Sequence, residues 1–304
     1  MPDLTATSPA STHSPPGHTG WGRLGLGVPG CGHPLLAPEE WSELSRQGAH
    51  LDWVVLNVAN GPGDRPDPHG LAAAGKLTNA GVRVLGHLDL AHGTRSLGAL
   101  VSDACRYAEW YRVDGFLLDR CPTDRDKLTA VRRVAATLEE VAPDPYLVLG
   151  QGSHPHPGYA EAADQLITFS GGWAQYRWSQ VAEWTAEHPA ERFAHVVHGV
   201  PRTHLEEAIR IARWQGAGTI FFTDRPDRPD RAIRAARGVR DTSGARGGPT
   251  GGAGRIGGVA GPAGATGAGA GSRPGRQKAR IGPFDTLPGY WDEIVSRIGP
   301  GVSE

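Results

Sequence analysis

The chain repeats one local pattern along most of its length: a short apolar or β-branched run followed by a longer amphipathic stretch. The repeat predicts strands at Leu24–Val28, Trp53–Asn57, Val82–Leu88, Gly115–Asp119, Tyr146–Leu149, Gln165–Phe169, Phe193–His198 and Thr219–Phe222. Strand–helix alternation favours a parallel sheet, and eight such units are what a (β/α)8 TIM-type barrel requires. A doubly wound sheet is the alternative, but no GxGxxG motif begins after the first run.

Amphipathic stretches between these runs predict the helices of the barrel. They lie at Pro38–Gln47, Pro68–Asn79, Leu97–Tyr111, Asp124–Val141, Gln175–Glu187 and Thr203–Gln215. The link from the fifth strand to the sixth is short and has room for only a brief helix. The aromatic stretch Phe284–Ile298 is predicted to be the eighth helix, delayed in the sequence.

Two segments depart from the alternating pattern. Residues 1–20 are rich in Ser, Thr, Pro and His, without the apolar core of a secretory signal, and are expected to be a disordered tail. Residues 244–275 hold 14 glycines and too little apolar surface to offset the entropy of ordering. We therefore expect one barrel domain over residues 21–304, interrupted by a flexible Gly-rich insertion at about 238–279.

Charge and cysteine content narrow the classes of function. Lys plus Arg number 31 and Asp plus Glu 32, so a net charge of −1 predicts no nucleic-acid or membrane partner. The chain has no apolar run of 18 residues, and its 3 cysteines lack CxxC spacing. We expect a cytoplasmic protein with reduced thiols and no cofactor.

Polar residues follow the predicted strands, where a parallel barrel forms its active site. Asp119 ends the apolar run Gly-Phe-Leu-Leu-Asp, and its alternative roles are a helix N-cap or a salt bridge to Arg120 or Arg125. The candidate catalytic carboxylates are Asp89, Asp119 and Asp224. The candidate substrate-binding residues are Asn57, Asn60, His87, Arg120, Ser170, Trp173 and His198.

Metal binding and aromatic stacking are further possibilities for these residues. His87 and Asp89 share one strand face and could bind a metal together with His198 or the His154-Pro-His156 stretch. The spacing matches no known ligand set, so we predict no metal. Trp173, near Tyr176 and Trp178, could stack on a sugar ring or pack a helix against the barrel.

Several stretches together resemble the spherulation-specific family 4 proteins. They are Leu56–Gly63, Gly81–Arg95, Trp110–Asp124, Arg192–Pro201, Phe222–Asp224 and Phe284–Val295, the last reading FDTLPGYWDEIV. The resemblance implies a (β/α)8 barrel and a glycoside hydrolase that cleaves α-1,4-linked galactosamine polysaccharide. It therefore implies a polysaccharide or amino-sugar ligand.

The resemblance also exposes substitutions. The family's Leu-Asp-Glu at strand four maps onto Leu118, Asp119 and Arg120, and its Phe-Glu at strand six maps onto Phe169-Ser170. The family's Gly-Tyr-x-His at strand three reads Gly86-His87-Leu88-Asp89. Asp119 is thus the inherited carboxylate, and we expect Arg120 to pair with it. Asp89 or Asp224 would have to replace the missing acid.

Three functions remain open from the sequence. The first is a divergent glycoside hydrolase that uses Asp119 with Asp89 or Asp224. The second is a catalytically inactive barrel that binds amino-sugar glycans or a small polar ligand. The third is a scaffold whose tail and Gly-rich insertion bind partners, because a fold alone does not assign function.

Overall fold

Eight parallel strands close into one barrel in the part of the chain that the structure describes. The computed structural model describes residues 24–46, 48, 50–227 and 282–298. The predicted tail and the whole of the predicted insertion lie outside these residues. The strands are β1 Gly25–Val28, β2 Leu51–Leu56, β3 Arg83–Asp89, β4 Gly115–Asp119, β5 Tyr146–Gly150, β6 Gln165–Gly172, β7 Phe193–His198 and β8 Thr219–Phe222. Each strand pairs with the next, and β1 pairs with β8, so the TIM-type prediction is confirmed.

The helices pack around the strands. They are α1 Pro38–Leu44, α2 Pro68–Asn79, α3 Leu97–Tyr111, α4 Arg125–Val141, α5 Trp173–Tyr176, α6 Leu205–Trp214 and α7 Trp291–Ile298. Local sequence starts two of them: Asp67 accepts a hydrogen bond from Gly70 N–H of α2, and Ser96 from Ala99 N–H of α3. Between β5 and β6 the chain forms only the short 3₁₀ helix Pro157–Glu161, as expected.

Two helix predictions were wrong in extent. The predicted helix at 175–187 is replaced by α5, an irregular stretch and the 3₁₀ helix Glu183–Glu187. The irregular stretch is held by the side chain of Ser179. Its Oγ donates to the nearby Tyr176 O at 2.7 Å and accepts from the distant Gln215 at 2.9 Å. The predicted helix at 284–298 begins only at Trp291, because Pro288 has no N–H for a helical hydrogen bond and disfavours helix before it.

Strand register sets the side chains that reach the barrel mouth. Asp89 at the end of β3 is paired with Asp119 at the end of β4, and His87 is paired with Leu117. Residues two apart on a strand point to the same face, so His87, Asp89 and Asp119 share one face. The register therefore assembles three predicted site residues on neighbouring strands.

The last helix is tied to residues far away in the sequence. On α7, Asp292 pairs with Arg46 at 2.6 Å, and Glu293 pairs with Arg202 at 2.6 Å. Trp291, Ile294 and Ile298 are buried against the barrel. Among the described residues, no helix is long and apolar enough to cross a membrane.

Candidate functional site

Asp119 stands at the end of β4 and is hydrogen-bonded by a neighbouring histidine. Its Oδ2 lies 3.2 Å from Nε2 of His87 on β3. The side chain of Asp119 is 43% exposed and that of His87 only 15%. The carboxylate is therefore open to the mouth, whereas the ring beside it is held inside the barrel.

The surroundings of His87 determine which ring nitrogen carries the proton in the neutral form. Nδ1 is buried and has no hydrogen-bond partner among the described residues, whereas Nε2 faces the carboxylate. A buried N–H without an acceptor is costly, so the neutral ring places its proton on Nε2. His87 thus donates to Asp119 and orients it.

Asp89 is engaged by Arg120 from the next strand end. Arg120 Nε donates to Asp89 Oδ1 at 2.8 Å, and a second guanidinium nitrogen donates to Oδ2. Ala91 N–H also donates to Oδ1 at 2.7 Å. Our expectation that Arg120 would pair with Asp119 was therefore wrong: the guanidinium forms a bidentate pair with Asp89.

This pair changes the acidity of Asp89. Partial burial by itself raises the pKa of Asp89. The hydrogen bonds from Arg120 and Ala91 and the guanidinium charge lower the pKa, and together they outweigh the effect of burial. The net pKa lies below the usual value for an aspartate. Asp89 therefore stays ionised at neutral pH and holds no proton to donate.

The backbone after Asp89 is in an uncommon conformation. Ala91, His92 and Gly93 all have positive φ, and so does Arg120. Two hydrogen bonds join this turn to the end of β4: Leu90 N–H to Asp119 O and His92 N–H to Arg120 O, both 2.9 Å. The left-handed region is costly for non-glycine residues, and these bonds to the end of β4 help to hold the turn in place.

The third candidate carboxylate lies across the barrel. Asp224 follows β8, four strands away from β4, and its Oδ1 accepts from Gly289 N–H at 3.1 Å. On β7, Nδ1 of His198 accepts from Asp227 N–H at 3.3 Å, and its ring lies 5.8 Å from that of Phe284. Asp224 and His198 therefore contact described residues next to residues 228–281: Asp224 contacts Gly289, and His198 contacts Asp227 and Phe284.

The remaining sequence-predicted residues are spread around the mouth. Asn57 accepts from Gly61 N–H at 3.0 Å, and the exposed Asn60 has positive φ. Ser170 is exposed at the end of β6. Trp173 is only 8% exposed, and its ring packs 5.7 Å from His204. Packing thus describes Trp173 better than stacking on a sugar.

Two contributors to the site were not among the predicted catalytic or substrate-binding residues. A Cβ on Gly150 would lie 3.2 Å from Asp119 Oδ1, so the glycine at the end of β5 leaves room for the carboxylate. Arg95 donates to the Asp89 carbonyl at 3.4 Å and pairs with Asp103 of α3. A glycine closing an apolar strand was the available signal for Gly150, whereas Arg95 carried none.

The arrangement limits the chemistry of the mouth. In the described ranges, no group of three or more His, Cys, Asp or Glu side chains is placed to hold a metal ion. Asp119 can act as a base, a nucleophile or a partner for a cation. Arginine keeps its proton at all ordinary pH values, so Arg120 cannot act as an acid.

The barrel and its sequence are similar to those of known proteins. The structure of Aspergillus clavatus Sph3 in complex with GalNAc superposes with a TM-score of 0.63 and 20% identity, over 91% of this chain and 98% of that one. Spherulin-4 of Physarum polycephalum is 24% identical over 144 residues, which are 47% of this chain and 43% of that protein. The model of the spherulation-specific family 4 matches residues 28–234. The chain therefore belongs to the spherulation-specific family 4.

Proposed function

We propose that the barrel mouth binds an amino-sugar glycan of the α-1,4-linked galactosamine type and lacks the proton donor that efficient cleavage requires. The observation that carries the proposal is the bidentate pair between Arg120 and Asp89. Sph3, which shares the fold, was solved with GalNAc bound. That ligand supports an amino sugar as the ligand class of this mouth.

Glycoside cleavage by the common routes needs two carboxyl groups about 5–9.5 Å apart, one of them protonated. Neighbouring strands are roughly 4.8 Å apart, so the register of Asp89 with Asp119 is compatible with such a pair. Distance is therefore not the obstacle. The obstacle is protonation: Arg120 holds Asp89 in its ionised form, and Asp119 accepts the His87 Nε2–H instead of donating a proton.

Other sources of a proton at the mouth are poor. Asp224 lies on the opposite side of the barrel and is hydrogen-bonded to Gly289. Ser170, at a position that the family resemblance makes acidic, is no acid near neutral pH. Loss of one positioned acid reduces the rate by about 10² to 10⁴-fold.

The remaining carboxylate suits binding. Asp119 is open to solvent and is oriented by the His87 Nε2–H. A deacetylated galactosamine carries an ammonium group at mildly acidic pH, and ionised carboxylates bind ammonium groups by charge-assisted hydrogen bonds. Asp119 is accordingly the anchor for the amino sugar in this proposal.

A divergent hydrolase is the second candidate, and the strand register favours it. Asp89 and Asp119 lie directly opposite each other on neighbouring strands, which is compatible with the separation of a catalytic pair. This candidate requires Asp89 to gain a proton when the glycan is bound. Displacement of Arg120 from Asp89 would be the necessary step.

The test measures binding and cleavage on one substrate, a partly deacetylated α-1,4-galactosaminoglycan. We expect calorimetric binding by the native chain, almost no release of reducing ends, and at least about tenfold weaker binding for Asp119→Asn. Arg120→Glu combined with Ser170→Glu should gain cleavage, because a carboxyl placed beside Asp89 raises the pKa of the pair.

Each outcome separates the candidates. Robust cleavage by the native chain that Asp119→Asn abolishes would establish the hydrolase. Cleavage that survives Asp119→Asn would remove Asp119 from either role. The absence of binding to any galactosamine glycan would contradict the proposed function, provided that the protein melts cooperatively and is therefore folded.

A further inference from the structure

A concave surface lies on the mouth side of the barrel, formed by the loops that follow β1 and β2. It is a cleft of about 590 Å³. Ligand sites typically range from about 300 to 1,000 Å³. Its lining includes His33, Val58, Ala59, Asp64, Arg65 and Asp67.

The cleft is held in shape by hydrogen bonds within its walls. Tyr111 of α3 reaches across to the loop, donating its hydroxyl to Pro62 O at 2.8 Å and accepting from Asp67 N–H at 3.1 Å. His33 Nε2 lies 3.5 Å from Asp67 Oδ2, which joins the loop after β1 to the loop after β2. A preformed site avoids the entropic cost of ordering loops when a ligand binds.

Strand register places this cleft next to the mouth. Leu56 of β2 is paired with Gly86 of β3, so the next residues along the two strands, Asn57 and His87, lie side by side. Val58, directly after Asn57, already lines the cleft. A chain of linked sugars running from Asp119 past His87 would therefore reach the cleft after crossing one strand.

The lining suits a sugar unit of the same polymer. Asp64, Arg65 and Asp67 carry a net charge of −1, which favours a cationic unit over an anionic one. Pro66 and Pro68 provide apolar faces, and the exposed carboxylate of Asp64 is an acceptor for hydroxyl or ammonium groups. Mixed apolar and polar lining is typical of specific small-molecule sites.

We propose that this cleft is an additional subsite that binds a further hexosamine unit of an oligosaccharide anchored at Asp119. The proposal rests on the proposed function, because the same glycan must occupy the mouth. Occupation of two linked sites raises affinity for a long ligand without changing affinity for a short one.

The experiment compares dimers and hexamers of α-1,4-linked galactosamine by calorimetry. Ala59 is exposed and lines the cleft, so Ala59→Trp fills the cleft without disturbing the core. Ala72 is exposed on α2 outside the cleft lining, and Ala72→Trp is the matched control. We expect the native chain and the control to bind the hexamer about tenfold more tightly than the dimer.

Ala59→Trp should bind dimer and hexamer equally, with the affinity that the native chain has for the dimer. A hexamer advantage that persists in Ala59→Trp, or that is missing in the native chain, would overturn the subsite. Failure of the native chain to bind either oligosaccharide would instead refute the proposed function at the mouth. Melting temperatures close to that of the native chain would show that both variants are folded.

Discussion

The rim formed by β3 and β4 and the wall between β7 and α5 each hold a histidine by one short contact, but in opposite surroundings. At the rim, Nε2 of His87 faces the carboxylate of Asp119 at 3.2 Å. In the wall, Nδ1 of His195 lies 2.8 Å from the hydroxyl of Tyr176, and His195 is 1% exposed. The His87 ring is hydrogen-bonded to a carboxylate that faces solvent, whereas the His195 ring is part of the core.

The difference shows that the partner and its access to water decide what a polar residue on a strand contributes. Burial lowers the pKa of His195 to about 3, with a smaller effect from the nearby His154. Burial likewise raises the pKa of Tyr176 well above its usual value. The wall pair is therefore neutral and structural, and the rim pair is the one suited to ligand chemistry.

The largest expected effect is a loss of folding stability in acid, caused by the buried His195. The unfolded chain protonates residue 195 near pH 6.5, whereas the folded chain binds that proton only near pH 3. Stability is therefore lost as pH falls through this window, by up to about 1.4 kcal/mol per pH unit. Between pH 7.5 and pH 5, this histidine should cost about 2 kcal/mol of the free energy of unfolding.

Urea unfolding at the two pH values measures this loss, with His195→Gln as the control. Glutamine does not titrate and can still accept a hydrogen bond from the Tyr176 hydroxyl. The variant should be less stable than the native chain at pH 7.5 and less sensitive to pH. Equal losses of stability in the two proteins would contradict a neutral, buried His195.

The next effect concerns the orientation of Asp119 at the rim. His87→Ala removes the donor that holds the carboxylate, and we expect about 1–2 kcal/mol weaker binding of galactosamine oligosaccharide, or about 5–30-fold in Kd. Calorimetry measures the affinity. His87→Gln retains an N–H donor and should restore part of it, whereas equal weakening by both variants would argue against orientation by a hydrogen bond.

The smallest expected effect on stability is that of the rim ion pair. Arg120 is 51% exposed and Asp89 27%, so Arg120→Ala should change the free energy of unfolding by less than about 1 kcal/mol. It should nevertheless raise the pKa of Asp89, because the hydrogen bonds and charge that lower this pKa are lost. An NMR pH titration of the Asp89 carboxyl carbon measures the change.

Arg132→Ala is the matched control for that titration. Arg132 is 46% exposed, close to Arg120, and pairs with Glu161 at 2.7 Å, away from the β3–β4 rim. Its removal should leave the pKa of Asp89 unchanged. An unchanged pKa in Arg120→Ala would mean that Arg120 does not hold Asp89 ionised, and the argument for a missing proton donor would fail.

The sequence predicted the barrel because each strand and helix carries its own hydrophobic pattern. The lengths and contacts of irregular segments were harder to predict. Where a helix was predicted around residue 179, Ser179 instead contacts Gln215, which is 36 residues away. The rim pairing was predicted wrongly for the same reason. Arg120 is adjacent to Asp119 in sequence but binds Asp89, 31 residues away, and only strand register brings them together.

Asp227 and Gly282, the described residues on either side of residues 228–281, are anchored in one small neighbourhood. Asp227 N–H binds the ring of His198, and the same ring packs against Phe284, two residues after Gly282. One side chain therefore brings Asp227 and Phe284 close together. Since the entropic cost of closing a loop grows only slowly with its length, two positions held this close tolerate connections of very different length. Adding or removing residues between Asp227 and Gly282 is therefore expected to leave the strand order and register of the barrel unchanged.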